Sequence, residues 1–439
     1  MGINRRRVAF HTLGCKLNFA ETSTISRSMP TEHFERVGSG DSADVHIVNT
    51  CSVTETADKK CRQLIKQLVK RDPEAFIAVV GCYAQLNPEK ISAIKGVDLI
   101  LGNNEKYDIA NLIPAGGKNS VAEIYSRELT AEELFRGAWS AGDRTRSFLK
   151  VQDGCDYKCS YCTIPMARGN SRNPDISTIV GEAGKIAGEG VEEIVLTGVN
   201  IGDFGKSTGE SFFDLLKRIV EVKGIHRYRI SSIEPNLLTD DIIKFAAENE
   251  KIMPHFHIPL QSGNNRILGA MRRRYKREVF ADRIIKIKEI MPFAGIGADI
   301  ISGFPGESEE EYEDTYSFIE SLPVSYLHIF PFSERPGTVA AQLEGKVPYK
   351  VKEKRCKKLI SLSGSKQREF MEHNIGRSEK VLFEGLENDR LITGFTENYI
   401  RVEYPWEPSL SGQTKEVTLT GIAPSGRMTI NMITTKNRL

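Results

Sequence analysis

Three cysteines fall within eight residues in the stretch Cys155–Asp156–Tyr157–Lys158–Cys159–Ser160–Tyr161–Cys162. The stretch follows directly on an apolar, strand-like run, Phe148–Gln152. Thiols at this density select soft metals, either zinc or an iron–sulfur cluster. A structural zinc site takes four protein ligands. Only three are close in the chain here, and the nearest histidine is His226. Three ligands on a four-iron cubane leave one iron open, where a small molecule can be held and reduced. The remaining residues must provide the walls around such an iron.

The chain has 439 residues, enough for two or three domains. Eight cysteines in a chain this long read as metal ligands or free thiols, not as a disulfide framework. The net charge of +2 is nearly neutral, so any RNA contact must come from local patches. Candidates are Arg272, Arg273 and Arg274, and the run Lys350, Lys352, Lys354, Arg355, Lys357 and Lys358; a solvated helix face is the alternative for each. Arg5, Arg6 and Arg7 lead into a short strand rather than a signal-peptide apolar region. No apolar run reaches the ~18 residues of a membrane span. The expected location is cytoplasmic, with no membrane partner.

Residues 8–115 alternate strands (Val8–Leu13, Asp44–Asn49, Ala75–Val80, Val97–Leu101) with helices near 18–29 and Thr56–Arg71. This is the grammar of an open, flavodoxin-like α/β domain. Cys15, Cys51 and Cys82 each sit just past the carboxyl end of an expected strand. In an open parallel sheet that edge is where ligands bind, so three sequence-distant thiols are expected to converge on one rim. Three unrelated core residues are the alternative. Cys61 and Cys356, both in helical runs, read as packed or free thiols.

Residues 116–145 are polar and glycine-containing and read as a linker. A second series then begins, with strands Phe148–Gln152, Glu193–Leu196, Tyr228–Ser231, His255–Pro259, Gly297–Ile301 and Tyr326–Phe330. The helices between them lie near 175–188, 211–222, 239–248, 265–290 and 308–321. These strand–helix units are fewer than the eight of a closed barrel. The expectation is an incomplete, TIM-like (β/α)6 barrel with its functional loops at the carboxyl ends of the strands. Residues 346–374 are helical and basic; after Gly376 the pattern turns to short period-two strands with turns such as Asn388–Asp389, as in a small all-β, OB-like barrel. That segment, 377–439, carries eight Lys/Arg and eight Asp/Glu and has no basic signature. Its aromatics, Phe383, Phe395, Tyr399, Tyr404 and Trp406, are either base-stacking platforms or core. The expected domain limits are 4–116, 141–371 and 374–437.

The Cys155/Cys159/Cys162 motif resembles the signature of the radical S-adenosylmethionine (SAM) superfamily. The resemblance implies a 4Fe–4S cluster whose open iron holds SAM. It also implies reductive cleavage to a 5′-deoxyadenosyl radical that abstracts hydrogen, with no catalytic side chain beyond the clusters. Thr197, Gly198 and Asn200 end the second strand, where the superfamily sets backbone against the SAM amino group. Glu234 ends the third, where a carboxylate can accept from ribose hydroxyls. Gln261 ends the fourth, Ile301 and Gly303 end the fifth beside an adenosyl group, and Tyr161 can pack on adenine. A turn or core role is the alternative at each position.

Further stretches narrow the resemblance: Thr12–Asn18 with Cys15, Asn49–Thr50–Cys51, Gly81–Cys82, His255–Gly263 and Asp299–Glu307, with a terminal domain of the TRAM type. Together they resemble the methylthiotransferases over nearly the whole chain. Membership implies a second 4Fe–4S cluster on Cys15, Cys51 and Cys82, and SAM used both as methyl donor and as radical source. It also implies a tRNA anticodon stem-loop as substrate, a sulfur source, and an electron donor such as flavodoxin or ferredoxin. Gly14–Cys15–Lys16–Leu17–Asn18 is similar to the subfamily that methylthiolates C2 of N6-threonylcarbamoyladenosine at position 37; subfamilies acting on isopentenyladenosine typically carry Gln–Met at Lys16–Leu17. Methylthiolation of isopentenyladenosine or of a ribosomal protein, and a second cluster that only relays electrons, are the alternatives.

Overall fold

The computed structural model describes residues 5–130, 133–142, 145–388 and 390–433. Residue 4, Asp389 of the expected Asn388–Asp389 turn, and residues 434–437 lie outside the described residues.

The first unit is a sheet of β1 (Arg6–Thr12), β2 (Phe34–Val37), β3 (Val45–Thr50), β4 (Phe76–Gly81), β5 (Leu99–Leu101) and β6 (Glu123–Tyr125). The order is β2-β1-β3-β4-β5-β6, parallel throughout. β3 and β4 are buried along their whole length, which is why their sequences run apolar without alternation. Apolar clusters cover both faces, one around Val8, Ile47 and Leu99, the other around Ile65, Val79 and Ile100. The Glu55–Arg71 helix begins at Thr54, whose hydroxyl accepts from the Ala57 N–H at 3.1 Å.

The linker expectation is corrected. Residues 123–125 form β6, an edge strand with every side chain exposed. Backbone pairing to β5 holds it, so it leaves no burial period in the sequence. Ala138 and Ser140 are buried and run antiparallel beside the next strand: the Ser140 N–H donates to Phe148 O at 3.1 Å and the Lys150 N–H to Ala138 O at 2.9 Å.

The central unit has β7 (Arg146–Lys150), β8 (Glu193–Thr197), β9 (Arg227–Ile230), β10 (His255–His257), β11 (Gly295–Ser302) and β12 (Tyr326–Pro331). Two parallel sheets, β7-β8-β9 and β10-β11-β12, are joined by bridges Tyr228↔Ile252 and Ser232↔His257. This is the expected incomplete barrel. Alternation decides its character. Leu149, Ile194, Leu196, Tyr228, Ile230, Phe256, Ile296, Ile300 and Leu327 join the apolar layer under the helices. Their alternates, among them Arg146, Lys150, Glu193, Arg227, Arg229, His255, His257, Asp299 and His328, line a polar lumen. Gly297 is required there: a Cβ would come within 2.3 Å of the Tyr326 ring that lies over it. The expected 265–290 helix is two, Asn265–Ala270 and Arg277–Ile290, broken where Arg272 takes φ +58°.

The Tyr349–Glu372 helix packs on β11 and β12 and leads to β13 (Ser378–Asn388), β14 (Leu391–Thr396), β15 (Arg401–Pro405), β16 (Thr414–Ile422) and β17 (Met428–Met432). These close into a barrel in the order β13-β14-β15-β17-β16. Phe383 is core, and Tyr404 and Trp406 pack against that core. Phe395 and Tyr399 turn to the central barrel instead: Tyr399 stacks on Phe395 at 4.6 Å and on His255 at 4.3 Å. Arg227 and Arg229 donate to the Thr396 carbonyl at 3.1 and 3.3 Å. The loop after β14 thus stops the amino-terminal mouth of the central barrel. Among the described residues no helix is long and apolar enough to cross a membrane.

Two buried imidazoles give the first unit a pH-sensitive contact. His11 Nε2 meets His46 Nδ1 at 3.1 Å, and His46 Nε2 donates to Asp72 at 2.8 Å. Burial, then the facing His46, pushes His11 down to about 4; burial also lowers His46. Protonating both would set two N–H groups against each other. The unfolded chain takes up the His11 proton near pH 6.5 and the folded chain only near 4. Stability present above the unfolded value is therefore lost as pH falls through that window, by about 3 kcal/mol at most. His11→Gln is expected to flatten the stability curve across this window, read from urea midpoints at stepped pH; an unchanged slope would refute the assignment.

Candidate functional site

Gly154 turns the chain out of β7 with φ +69°, and a Cβ there would lie 1.9 Å from the Asn170 carbonyl oxygen. Cys155, Cys159 and Cys162 follow in a loop where each sulfur meets a donor. The Tyr157 N–H points at Cys155 Sγ and the Ile164 N–H at Cys162 Sγ, each at 3.4 Å, and Arg273 Nη1 lies 3.2 Å from Cys159 Sγ. Burial pushes Cys155 up to about 12 and Cys162 up to about 11, and raises Cys159 against the pull of Arg273. Without metal these are thiols at neutral pH; cation binding must displace their protons.

The second set is built by topology. Cys15 caps the Lys16–Ser28 helix after β1, Cys51 follows β3, and Cys82 opens the Cys82–Leu86 helix after β4. β1, β3 and β4 are neighbours in the sheet, so the three cysteines share one rim. Gly14, at φ +107°, lets the chain pass Cys51: a Cβ would sit 2.5 Å from the Cys51 Cβ. Asn18 braces the rim by donating to Leu13 O at 2.8 Å and Thr50 O at 3.0 Å. Burial, then Cys82 and Cys15, pushes Cys51 up to about 12. Cys61 stands apart, donating to the Cys51 carbonyl at 3.4 Å, and Cys356 is buried elsewhere.

Among the described residues, the metal-ligand group whose donor atoms all lie within 4.8 Å is His257, Asp299 and His328. Neither cysteine set is that tight. Tetrahedral thiolates around one zinc, with Zn–S of about 2.3 Å, would stand about 3.8 Å apart. The wider spacing and the all-sulfur donor set fit a polynuclear cluster with three protein ligands.

A buried ionic seam joins the two sets. Arg168, six residues after Cys162, reaches into the first unit. It donates to Glu21 at 2.9 and 3.0 Å, to Asn18 Oδ1 at 2.9 Å and to Asp153 at 3.0 Å. Lys106 and Lys150 meet the same Glu21 at 2.6 and 3.0 Å, and Lys150 meets Asp153 at 2.6 Å. Burial alone would raise Glu21, but Arg168, Lys106 and Lys150 hold it well below the usual range. Asn103 Nδ2 donates to Ala167 O at 2.6 Å and lies 3.6 Å from Cys82 Sγ. Sequence reading missed these residues, although Asn18 lay inside a quoted motif. Arg335 adds a second tie, meeting Ser52 and Asp58 at 2.8 Å. The first unit therefore holds both β7 and the segment after β12, covering the open side of the incomplete barrel.

Glu234 and Tyr161 meet Cys159 of the loop through Arg273, whereas Gly303 lies against Lys352. Gln152 Oε1 accepts from the Val199 and Asn200 N–H groups at 3.0 and 2.8 Å, fixing the Thr197–Asn200 turn. Gly198 leaves room for this: a Cβ would lie 3.0 Å from Gln152 O. Among the described residues, Asn200 Oδ1 and Ser231 Oγ are buried without partners, as expected where a polar ligand completes the site. Gln261 holds φ +68°, a strained conformation for a side chain. Ile301 and Tyr161 flank the apolar cluster of Ile267, Met271 and Phe304, and the Gly303 N–H donates to Glu307 at 2.6 Å. Glu234 is ion-paired with Arg273.

That pairing takes Arg273 out of the expected RNA-facing run Arg272, Arg273 and Arg274. The Arg273 side chain is only 4% exposed and spans Glu234, Cys159 and the Tyr161 hydroxyl. Arg272 and Arg274 are both exposed, Arg274 lying over the Tyr157 ring. The break in the helix turns successive side chains to different sides.

Comparison with known proteins places this geometry. Residues 7–102 match the uncharacterized protein family UPF0004, and residues 149–319 the radical SAM superfamily. The chain is 39% identical over 428 residues to a threonylcarbamoyladenosine tRNA methylthiotransferase of Bacillus subtilis, covering 94% of this chain and 93% of the relative. Identity to the enzyme of that name from Aquifex aeolicus is 38%, covering 90% and 96%. A radical SAM methyltransferase of Kitasatospora setae superposes with a TM-score of 0.54 at 14% identity, over 76% of this chain and 77% of that one, a likeness of fold.

Removing one partner of a buried ion network leaves the others uncompensated, at about 3–5 kcal/mol. Arg168→Met is expected to lose that much stability in denaturant titration, and Arg368→Met, whose pair with Glu372 is exposed, under about 1 kcal/mol. A loss at Arg168 no larger than that at the exposed Arg368 would show that the seam does not depend on Arg168.

Proposed function

The chain belongs to the radical SAM tRNA methylthiotransferases, and from that membership we propose that it inserts a methylthio group at C2 of N6-threonylcarbamoyladenosine at position 37 of tRNA. The observation that carries this reading is the pair of cysteine triads, each one ligand short, brought together by the Glu21–Arg168 seam. In it Cys155, Cys159 and Cys162 hold one 4Fe–4S cluster, and Cys15, Cys51 and Cys82 hold the other. When bound, SAM and the first cluster supply the radical, while the second cluster and another SAM supply the methylated sulfur.

The side chains bind and orient. Gln152 holds the Thr197–Asn200 backbone against the methionyl end of SAM. Arg273 fixes Glu234 for the ribose and places a cation against Cys159, steadying its thiolate. Tyr161, Ile301 and Gly303 line the adenosyl side, and Gln261 closes the rim. With the amino-terminal mouth stopped by the loop around Tyr399, reacting groups meet at the carboxyl-terminal mouth, between the two cysteine sets. The anticodon stem-loop is the RNA partner. A low-potential donor such as flavodoxin or ferredoxin, a sulfur source and a cytoplasmic setting complete the reading.

Two cubanes predict about eight irons per chain after anaerobic reconstitution. Cys51→Ala is expected to leave about four, to keep SAM cleavage and to abolish methylthio product in nucleoside mass spectrometry. Wild-type iron near four, unchanged by Cys51→Ala, would remove the second cluster.

A further inference from the structure

Lys16 follows Cys15 and is half-buried. The helix that Lys16 opens lies across the barrel interior, with Phe19 and Ala20 packed on the inward-facing Phe148 and Val195; Lys16 at its start is within electrostatic reach of Arg146, Arg229, His255 and Tyr399 of the lower lumen. The carboxylates facing this group are already engaged. Glu193 takes Arg229 at 2.9 Å and Arg227 at 2.8 Å, Glu384 takes Arg146 at 2.8 Å, and Glu397 lies within electrostatic reach of Arg227. Among the described residues none accepts a hydrogen bond from the Lys16 ammonium. Nη1 of Arg227, buried in the same layer, is also without a partner. A cation in a narrow lumen with no counter-ion is costly unless a ligand brings one. The lower lumen therefore suits a ligand with a negatively charged end.

We infer that Lys16 is a specificity residue that receives the carboxylate of the threonylcarbamoyl side chain as the adenosine enters the lumen. This rests on the substrate reading above. That side chain ends in a carboxylate, whereas an isopentenyl group has no charge to meet the ammonium. Lys16 adjoins Cys15, so a carboxylate held there keeps the base beside the rim from which sulfur is delivered. A phosphate of the RNA backbone is the other anion that could reach an ammonium, and the test separates the two.

The full-length reconstituted enzyme is assayed on two synthetic anticodon stem-loops. One carries N6-threonylcarbamoyladenosine; the other carries its threoninamide analogue, differing only in a neutral carboxamide. The wild type is expected to prefer the acid by about 10- to 100-fold in kcat/KM, the span of one charge-assisted hydrogen bond. Lys16→Gln is expected to lose that factor on the acid alone, and Lys16→Arg to keep the preference, with iron content unchanged in both. Equal wild-type rates on the two RNAs, or a preference that survives Lys16→Gln, overturn the assignment. A loss equal on both RNAs assigns Lys16 to phosphate, and a loss of iron assigns it to the cluster; either overturns it too. A wild type that forms 5′-deoxyadenosine but methylthiolates neither RNA overturns the substrate reading, and the Lys16 assignment with it.

Discussion

Glu21 is buried on the first unit and can be tolerated there only because the central barrel brings it counter-charges. Its two oxygens take Lys106 from its own unit and Lys150 and Arg168 from the barrel. Desolvating such ions costs several kcal/mol each, recovered only when every lone pair is met in good geometry. Pulled apart, the two units would leave charges stranded on both sides. What the ions add over an apolar seam is direction, since hydrogen bonds of fixed length permit one registration of the units. That registration sets Cys82 beside the helix that follows Cys162. Four cations, Lys106, Lys150, Arg168 and Arg172, face two carboxylates, Glu21 and Asp153, and Arg168 lies within electrostatic reach of Cys82. The positive surplus is matched to a rim that becomes anionic when its thiols ionise.

The central barrel departs from a closed (β/α)8 barrel in what fills it. There, layers of branched apolar side chains pack the interior. Here the inward positions carry arginine, histidine, aspartate and glutamate, and the apolar alternates face the helices. Such a lumen cannot collapse on itself, so its ends need other closures. The first unit covers the open side, and the loop around Tyr399 stops one mouth. The His257–Asp299–His328 group forms one rung of the wall, with Asp299 accepting from both imidazoles at 2.9 and 3.3 Å.

Much of this was legible from local pattern. The continuous apolar runs of β3 and β4, the alternation of β13–β17, and the six strands of the barrel all stand out because burial imposes a period on sequence. The rim position of Cys15, Cys51 and Cys82 followed from their placing after strands. β6 left no such mark, because backbone pairing alone holds it. The Arg272–Arg274 run hid the burial of Arg273 for a related reason: one residue at positive φ sends neighbouring side chains apart, and composition cannot register that. Phe395 and Tyr399 read as base platforms or barrel core, yet they close a different domain.

The sequence by itself determined the ligand chemistry and the parts: two sets of three thiols, an open parallel sheet, an incomplete barrel and a small β-barrel. Spacing, periodicity and residue type are local properties, and these features depend on nothing else. Only the tertiary structure decided how the parts meet: Arg168 with Glu21, Arg273 with Glu234, and Arg335 with Asp58. Those pairings join residues far apart in the chain, and a charge shows its partner, or its lack of one, only when the fold has removed the water between them.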